Sequence, residues 1–372
     1  MTLFSRTDTS ILSRWWWQID RWTLFAILLL ALLGMMLVIA ASPAVANKIN
    51  QDTWFFVKRQ SVFLILSIIF IFITSLLSPT QVSIIAILGF IGGILILSSL
   101  PFLGITIKGA TRWISIFGIS MQASEFVKPF FIITTAWVLS RRFANIKSGL
   151  VSFGLFALFA GLLIIQPDLG TTILISAIWS VQLFISGASI IWLLILGGIG
   201  ISGLFLAYAT FPHFKYRIES FFNPETTENY QLEKSLDAFS NGGFFGKGMG
   251  EGTVKTHIPD AHTDFIFAVA GEEFGVLLCL LILGLFSFIV LRSFLRVKDE
   301  NNKFVVIGVV GLAAQLGLQS FINMSVTLNI LPTKGMTLPF VSYGGSSLLA
   351  LSFTVGMLLA LTKKQYGFRE RE

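Results

Sequence analysis

The run PDAHTDFIF at 259–267 sets His262, Thr263 and Asp264 immediately before an apolar segment that continues to about Leu291. A carboxylate at the mouth of a membrane helix has to be capped, paired or used, because burying it unsatisfied costs about 3 kcal/mol or more. An Asp at a helix N-terminus commonly accepts hydrogen bonds from the first turn. Thr263 can serve as the cap equally well, which would leave the Asp264 carboxylate facing an outer cavity, where a general base would stand. On residue type alone both readings are open.

Other ionisable groups sit where lipid would not tolerate them unpaired. Glu125 and Lys128 are three apart, on one helical face, so they either neutralise each other or line a cavity. Ser124 is a candidate cap for that helix, and Pro129 then implies a kink or a later start. Asp168 in QPDLGTT has the neighbours of a tight turn or helix cap. Glu272 and Glu273 lie about 12 Å further along the helix than Asp264, and at least one of them should point inward. His257, Asp260, His262 and Asp264 could together meet a divalent cation, magnesium or manganese, although their irregular spacing reads more simply as solvated loop polarity. No cofactor is otherwise called for. Gly246-Lys247 invites a phosphate loop, but position 241 is Asn and position 248 is Gly, so the pattern fails. The glycine cluster from Gly242 to Gly252 reads as a flexible, turn-rich segment, with a backbone nest facing phosphate or sugar as the alternative. Cys279 is the sole cysteine and lies in an apolar span, a packing position.

The elements that must hold these residues are membrane helices. The 372 residues are 55% hydrophobic and 12% charged, with apolar blocks near twenty long rather than amphipathic stripes. The spans expected are 23–41, 61–78, 82–100, 126–140, 149–165, 171–187, 189–210, 265–291, 304–325 and 340–361, which makes an all-α polytopic membrane protein of about ten helices in a single membrane domain, 1–372. Basic residues crowd the segments 1–22, 141–147, 292–303 and 363–371, whereas the short opposite loops hold only Lys48, Lys58, Arg59, Lys108, Arg112 and Lys334. This asymmetry puts both termini in the cytoplasm, 1–22 and 362–372, and makes 211–263, between helices seven and eight, a large extracytoplasmic loop. It also accounts for most of the net charge of +7, so the charge does not point to nucleic acid. Trp15, Trp16, Trp17 and Trp22 precede the first span, where indoles favour the headgroup layer. The ASPAVA stretch after that span resembles a signal-peptidase site, yet the span is long enough to be a retained helix.

Several long stretches in order resemble one family: KGATRWI at 108–114, QASEFVKP at 122–129, QPDLGTT at 166–172, GGFFGKGMGEG at 242–252, PDAHTDFIFAVAGEEFG at 259–275 and LPTKGMTLPFVSYGGSS at 331–347. These are similar to the SEDS proteins of bacterial shape, elongation and division, and LPTKGMTLP points to the division branch. Asp260 stands where the family commonly carries Glu, so a carboxylate is kept. The resemblance implies a ten-helix peptidoglycan glycosyltransferase that polymerises lipid II at the outer face of the cytoplasmic membrane, at the division septum. It places the family's catalytic aspartate on Asp264, as base for the attacking sugar hydroxyl. Lys128, Arg217, Lys108 and Arg112 are the cations expected near the leaving pyrophosphate, with Glu125 orienting Lys128. His262, Thr263, Lys334, Ser342 and Tyr343 are the further substrate contacts expected. The implied partners are a class B penicillin-binding transpeptidase and other division-machinery membrane proteins. Two rival functions remain at this level: a lipid II transporter, with Glu125, Lys128, Glu272 and Glu273 along its path, and a scaffold that recruits the transpeptidase.

Overall fold

Within hydrocarbon every backbone N–H and C=O has to be satisfied inside its own segment, so the apolar blocks close on themselves as helices. The computed structural model describes residues 10–107, 110–116, 119–141, 147–210, 215–216, 219, 221, 227–332 and 335–363. In chain order the helices are α1 (Ile11–Gln18), α2 (Arg21–Lys48), α3 (Phe55–Ser75), α4 (Pro79–Leu103), α5 (Ala123–Ser140), α6 (Ser148–Ile165), α7 (Leu169–Ser186), α8 (Ile190–Thr210), α9 (Thr227–Gly242), α10 (Ile266–Val297), α11 (Lys303–Thr327) and α12 (Gly345–Leu361). Eight of them, α2 to α4, α6 to α8, α10 and α11, are long and apolar enough to cross a membrane. The expected fourth and tenth spans are also helices, but α5 carries Glu125 and Lys128 and α12 is shorter, at 17 residues.

The segment between α4 and α5 adds a small antiparallel sheet, β1 (Ile105–Ile107), β2 (Ala110–Ile116) and β3 (Ile119–Gln122), paired in that order. Its β2–β3 register sets Trp113 opposite Gln122 and Ser115 opposite Ser120. The segment 211–263 is likewise not plain loop: it contains α9 and a short 3-10 turn, Val254–His257.

Burial ranks the helices. The best apolar window of α11 is 78% buried, which makes it the central helix, in contact with α5, α7, α10 and α12. That of α8 is only 6% buried, and among the described residues it rests mainly on α7. A helix in water could not leave that much apolar surface open, but lipid is as apolar as the side chains themselves. The central helix is also the polar one, carrying buried Gln315, Gln319 and Asn323. Buried amides in a membrane helix need partners, and two of these three reach into the site.

Candidate active site

Where α11 ends, the 335–344 loop folds back over the chain that leads into α10, and the start of α5, the start of α3 and the sheet close around them. A cavity of about 440 Å³ remains, lined by Asp264 together with Arg59, Trp113, Gln122, Glu125, Asp260, Thr263, Tyr343 and Ser347, among others.

Asp264 is set in place through its backbone. Asn323 Nδ2 donates to the Asp264 carbonyl at 2.9 Å and to the Met336 carbonyl at 2.6 Å, tying both loops to the central helix. Ser342 Oγ donates to the Thr263 carbonyl at 2.6 Å and accepts from Leu338 N–H at 2.8 Å. Tyr343 N–H donates to the His262 carbonyl at 2.9 Å. Asp260 turns the chain with φ of +54°, a left-handed conformation that Asp tolerates better than most residues, and its carbonyl accepts from Thr263 and Phe265 N–H. The N-cap position of α10, which begins at Ile266, is Phe265, whose side chain makes no cap hydrogen bond, so Asp264 stands one residue before the cap position. The Thr263 hydroxyl turns back into the loop and donates to the Asp260 carbonyl at 3.1 Å. Gly335 (φ +59°) lies so close that a side chain there would stand 3.5 Å from Asp264 Oδ2.

His262 is buried against the Phe56 ring, 4.3 Å between centroids, and the Tyr343 ring, 5.3 Å. Burial pushes its imidazole down to about 4, against a weaker opposing pull from Asp260, so it is neutral at physiological pH. Its Nδ1 has no hydrogen-bond partner among the described residues. Burial also raises the Tyr343 phenol, and Arg59 acts in the opposite sense.

Beneath the cavity runs a closed ring of hydrogen bonds. Lys128 Nζ donates to Glu125 Oε1 at 2.7 Å and to Gln319 Oε1 at 3.2 Å. Gln319 Nε2 donates to the Thr337 carbonyl at 3.1 Å, the Thr337 and Ser347 hydroxyls are 2.8 Å apart, and Ser347 Oγ donates to Glu125 Oε2 at 3.3 Å. Lys128 is 1% exposed, so the ammonium expected at the pyrophosphate is instead enclosed below the cavity wall, which its partner Glu125 reaches together with Thr337 and Ser347. The desolvated charges of the pair are acceptable because each has polar partners besides the other.

Arg112 is likewise engaged elsewhere. Its Nε donates to the Gln166 carbonyl at 3.0 Å, it donates to the Pro167 carbonyl, and it pairs with Asp168 at 3.6 Å, which fastens the sheet to the turn before α7. Asp168 caps α7 by accepting from Thr171 N–H, and Ser124 Oγ turns to Asp168 rather than capping α5. Helix α5 starts at Ala123 and includes Pro129, so of the two expectations, a kink or a later start, the later start does not occur. Lys108, Arg217 and Lys334 lie outside the described residues. Arg59, at the start of α3, is the cation that reaches the cavity among the described lining residues. Sequence reasoning counted it only as loop charge; its place in the first turns of a span was the available signal.

The glycine cluster is neither slack nor turned toward substrate. Glu272 and Glu273 are fully buried, and the cluster wraps them with backbone donors. Val254 and Lys255 N–H donate to Glu272 at 2.7 and 2.8 Å, Gly252 N–H donates to Glu273 at 3.3 Å, and Gly250 N–H and Lys255 Nζ also reach Glu273. The nest exists, and the anion it holds is the protein's own. Among the described residues no three His, Cys, Asp or Glu side chains gather so as to hold a metal ion.

Residues 21–367 match the FtsW/RodA/SpoVE family profile, described as cell cycle protein. A probable peptidoglycan glycosyltransferase FtsW of Caulobacter vibrioides is 41% identical over 367 residues, covering 98% of this chain and 94% of that protein. The same-named protein of Escherichia coli is 33% identical over 353 residues, covering 92% and 85%. Among solved structures, a chain from a study of structural coordination of polymerization and crosslinking by a peptidoglycan synthase complex is 25% identical with a TM-score of 0.76, over 92% of this chain and 97% of that one. The rod shape determining protein RodA of Thermus thermophilus is 25% identical with a TM-score of 0.68, over 93% and 97%.

Proposed function

Since this chain belongs to the FtsW/RodA/SpoVE family, we propose that it is a multi-pass peptidoglycan glycosyltransferase of cell division, polymerising lipid II into β-1,4-linked glycan, with Asp264 as general base. The observation that carries the base assignment is that Asp264 lines a polar cavity while the Asn323 side chain of the central helix holds its backbone in place. In the reaction the 4-hydroxyl of one lipid-linked sugar attacks the anomeric carbon of another. The new C–O bond forms as the bond to the pyrophosphate breaks, inverting that carbon, and the hydroxyl proton passes to the Asp264 carboxylate. The undecaprenyl pyrophosphate leaves with the electron pair, so a cation near it lowers the barrier. Arg59 is assigned that place among the described residues, and Lys334, Arg217 and Lys108 are further candidates. A magnesium or manganese ion, if used, would arrive with the pyrophosphate, since such ions are held largely by substrate phosphates.

The transport reading loses its support. Glu125, Lys128, Glu272 and Glu273 are each tied to partners within the fold rather than strung along a passage. A class B penicillin-binding transpeptidase is the proposed partner, in keeping with the relative solved in a peptidoglycan synthase complex. The charge asymmetry supports cytoplasmic termini and an extracytoplasmic Asp264, with the protein acting at the septum.

The decisive measurement is glycan ladder formation from labelled lipid II by the purified chain with its transpeptidase. Asp264→Asn should lower the rate by about 10² to 10⁴ while leaving partner binding intact. Normal ladders from a folded, partner-bound mutant would remove Asp264 from the role of base.

A further inference from the structure

We propose that a second cavity, at the end of the bundle opposite Asp264, holds the phosphate headgroup of an anionic phospholipid. It measures about 530 Å³ and is lined by Trp16, Trp17, Trp22, Arg21, Arg292 and Arg296 around Asp20. Helix α10 spans the distance between the two sites: it starts just after Asp264, and its unbroken part from 276 to Arg292 rises about 24 Å, most of a hydrocarbon layer.

The charges do not cancel inside this cavity. Asp20, 1% exposed, accepts from Arg292 Nε and Nη2 at 2.7 Å each, from Arg296 Nε at 3.1 Å, from Thr23 Oγ1 at 3.0 Å and from Trp22 N–H at 3.3 Å. A carboxylate offers about four lone-pair sites, so Asp20 is saturated, whereas a guanidinium has five N–H donors. Nη1 of both arginines lies outside these contacts. Arg21 makes no ion pair among the described residues; its guanidinium lies over the Trp17 and Trp16 rings, at 4.8 and 5.6 Å. Three guanidiniums around one filled carboxylate leave positive charge and forked donors, the geometry that suits a phosphate.

The surroundings separate a lipid from a free anion. Indoles prefer the headgroup layer, and one turn nearer the middle of the bundle Phe25, four residues after Arg21, and Phe288, four residues before Arg292, are 60% and 40% exposed, the latter with Arg292 5.8 Å over its ring. An anion site above an open apolar strip has the two-part chemistry of a phospholipid. Inorganic phosphate would match only the upper part.

The test is native mass spectrometry of the full chain in detergent, titrated with phosphatidylglycerol, with phosphatidylcholine of the same acyl chains, and with inorganic phosphate as competitor. Phosphatidylglycerol should be retained over phosphatidylcholine, and millimolar phosphate should not displace it. Arg21→Gln and Arg296→Gln, which both leave the Asp20–Arg292 pair in place, should each weaken phosphatidylglycerol by about fivefold without changing phosphatidylcholine. Equal retention of the two lipids by the native chain overturns the proposal without recourse to any variant. So do variants that bind as the native chain does, and displacement by phosphate would overturn the lipid as the source of the anion.

Discussion

Asp264 is aimed in part through its main chain, by Asn323 and by the loop that also holds Thr263 and His262. Its neighbour His262 gives the residue scale a pH signature. Burial holds that imidazole at about 4, below the usual 6.5, so the unfolded chain binds the extra proton as pH falls through 6.5. Stability from this group is therefore complete above about pH 6.5 and is lost as pH drops toward 4. Between about pH 7 and about pH 5 the loss is about 2 kcal/mol. Melting temperatures in detergent should fall over that range in the native chain and fall less in His262→Phe. Asp264 and His262 were both legible in the motif that precedes α10, because polar residues at a span's mouth stand out against apolar neighbours. The fate of Lys128 was not: a three-residue spacing pairs it with Glu125 but gives no sign that Gln319, far along the chain, completes its shell and draws it under the wall.

At the scale of elements the decisive event is the break in α10. Gly275 has φ of +75° and ψ of −173°, so the helix that follows Asp264 is short and changes course before the long lipid-facing part begins. Its neighbours come from the glycine cluster: Val276 N–H donates to the Gly243 carbonyl at 3.0 Å, and a Cβ on Gly275 would stand 2.3 Å from the Phe244 carbonyl oxygen. Gly275→Ala thus meets both an unfavourable backbone conformation and a clash with main chain. It should cost about 2 kcal/mol or more, seen as a lower melting temperature and faster proteolysis within 242–252. Hydropathy located the helix but not its interruption, since a glycine between Phe274 and Val276 in an apolar run carries no periodic signal. For the same reason the glycine cluster read as slack: its donors come from main chain, and their acceptors, Glu272 and Glu273, lie on another element.

Across the whole molecule, apolar block length forecast where the ten longer apolar helices lie, with ends displaced by up to seven residues, because the bilayer enforces both span and internal hydrogen bonding. It could not rank them by burial, so the central place of α11 and the outlying place of α8 emerge only from packing. The ring of Lys128, Glu125, Ser347, Thr337 and Gln319 joins α5, α11, α12 and the loop beside Asp264. Lys128→Met leaves the Glu125 carboxylate without its cation and should destabilise the fold by about 3 kcal/mol. Adding Glu125→Gln should restore part of that loss in the melting temperature, and a double mutant no more stable than Lys128→Met would deny the coupling.

Closure of that ring also governs how these positions tolerate change. In an open string of contacts each lesion removes its own share, and the losses add. In a circuit the first lesion already forfeits the common alignment, so a second finds less to destroy and the pair shows diminishing-returns epistasis. Suppressors of a lesion at Glu125 should accordingly arise at its circuit partners, at Lys128 on the same helix and at Gln319 or Ser347 on others.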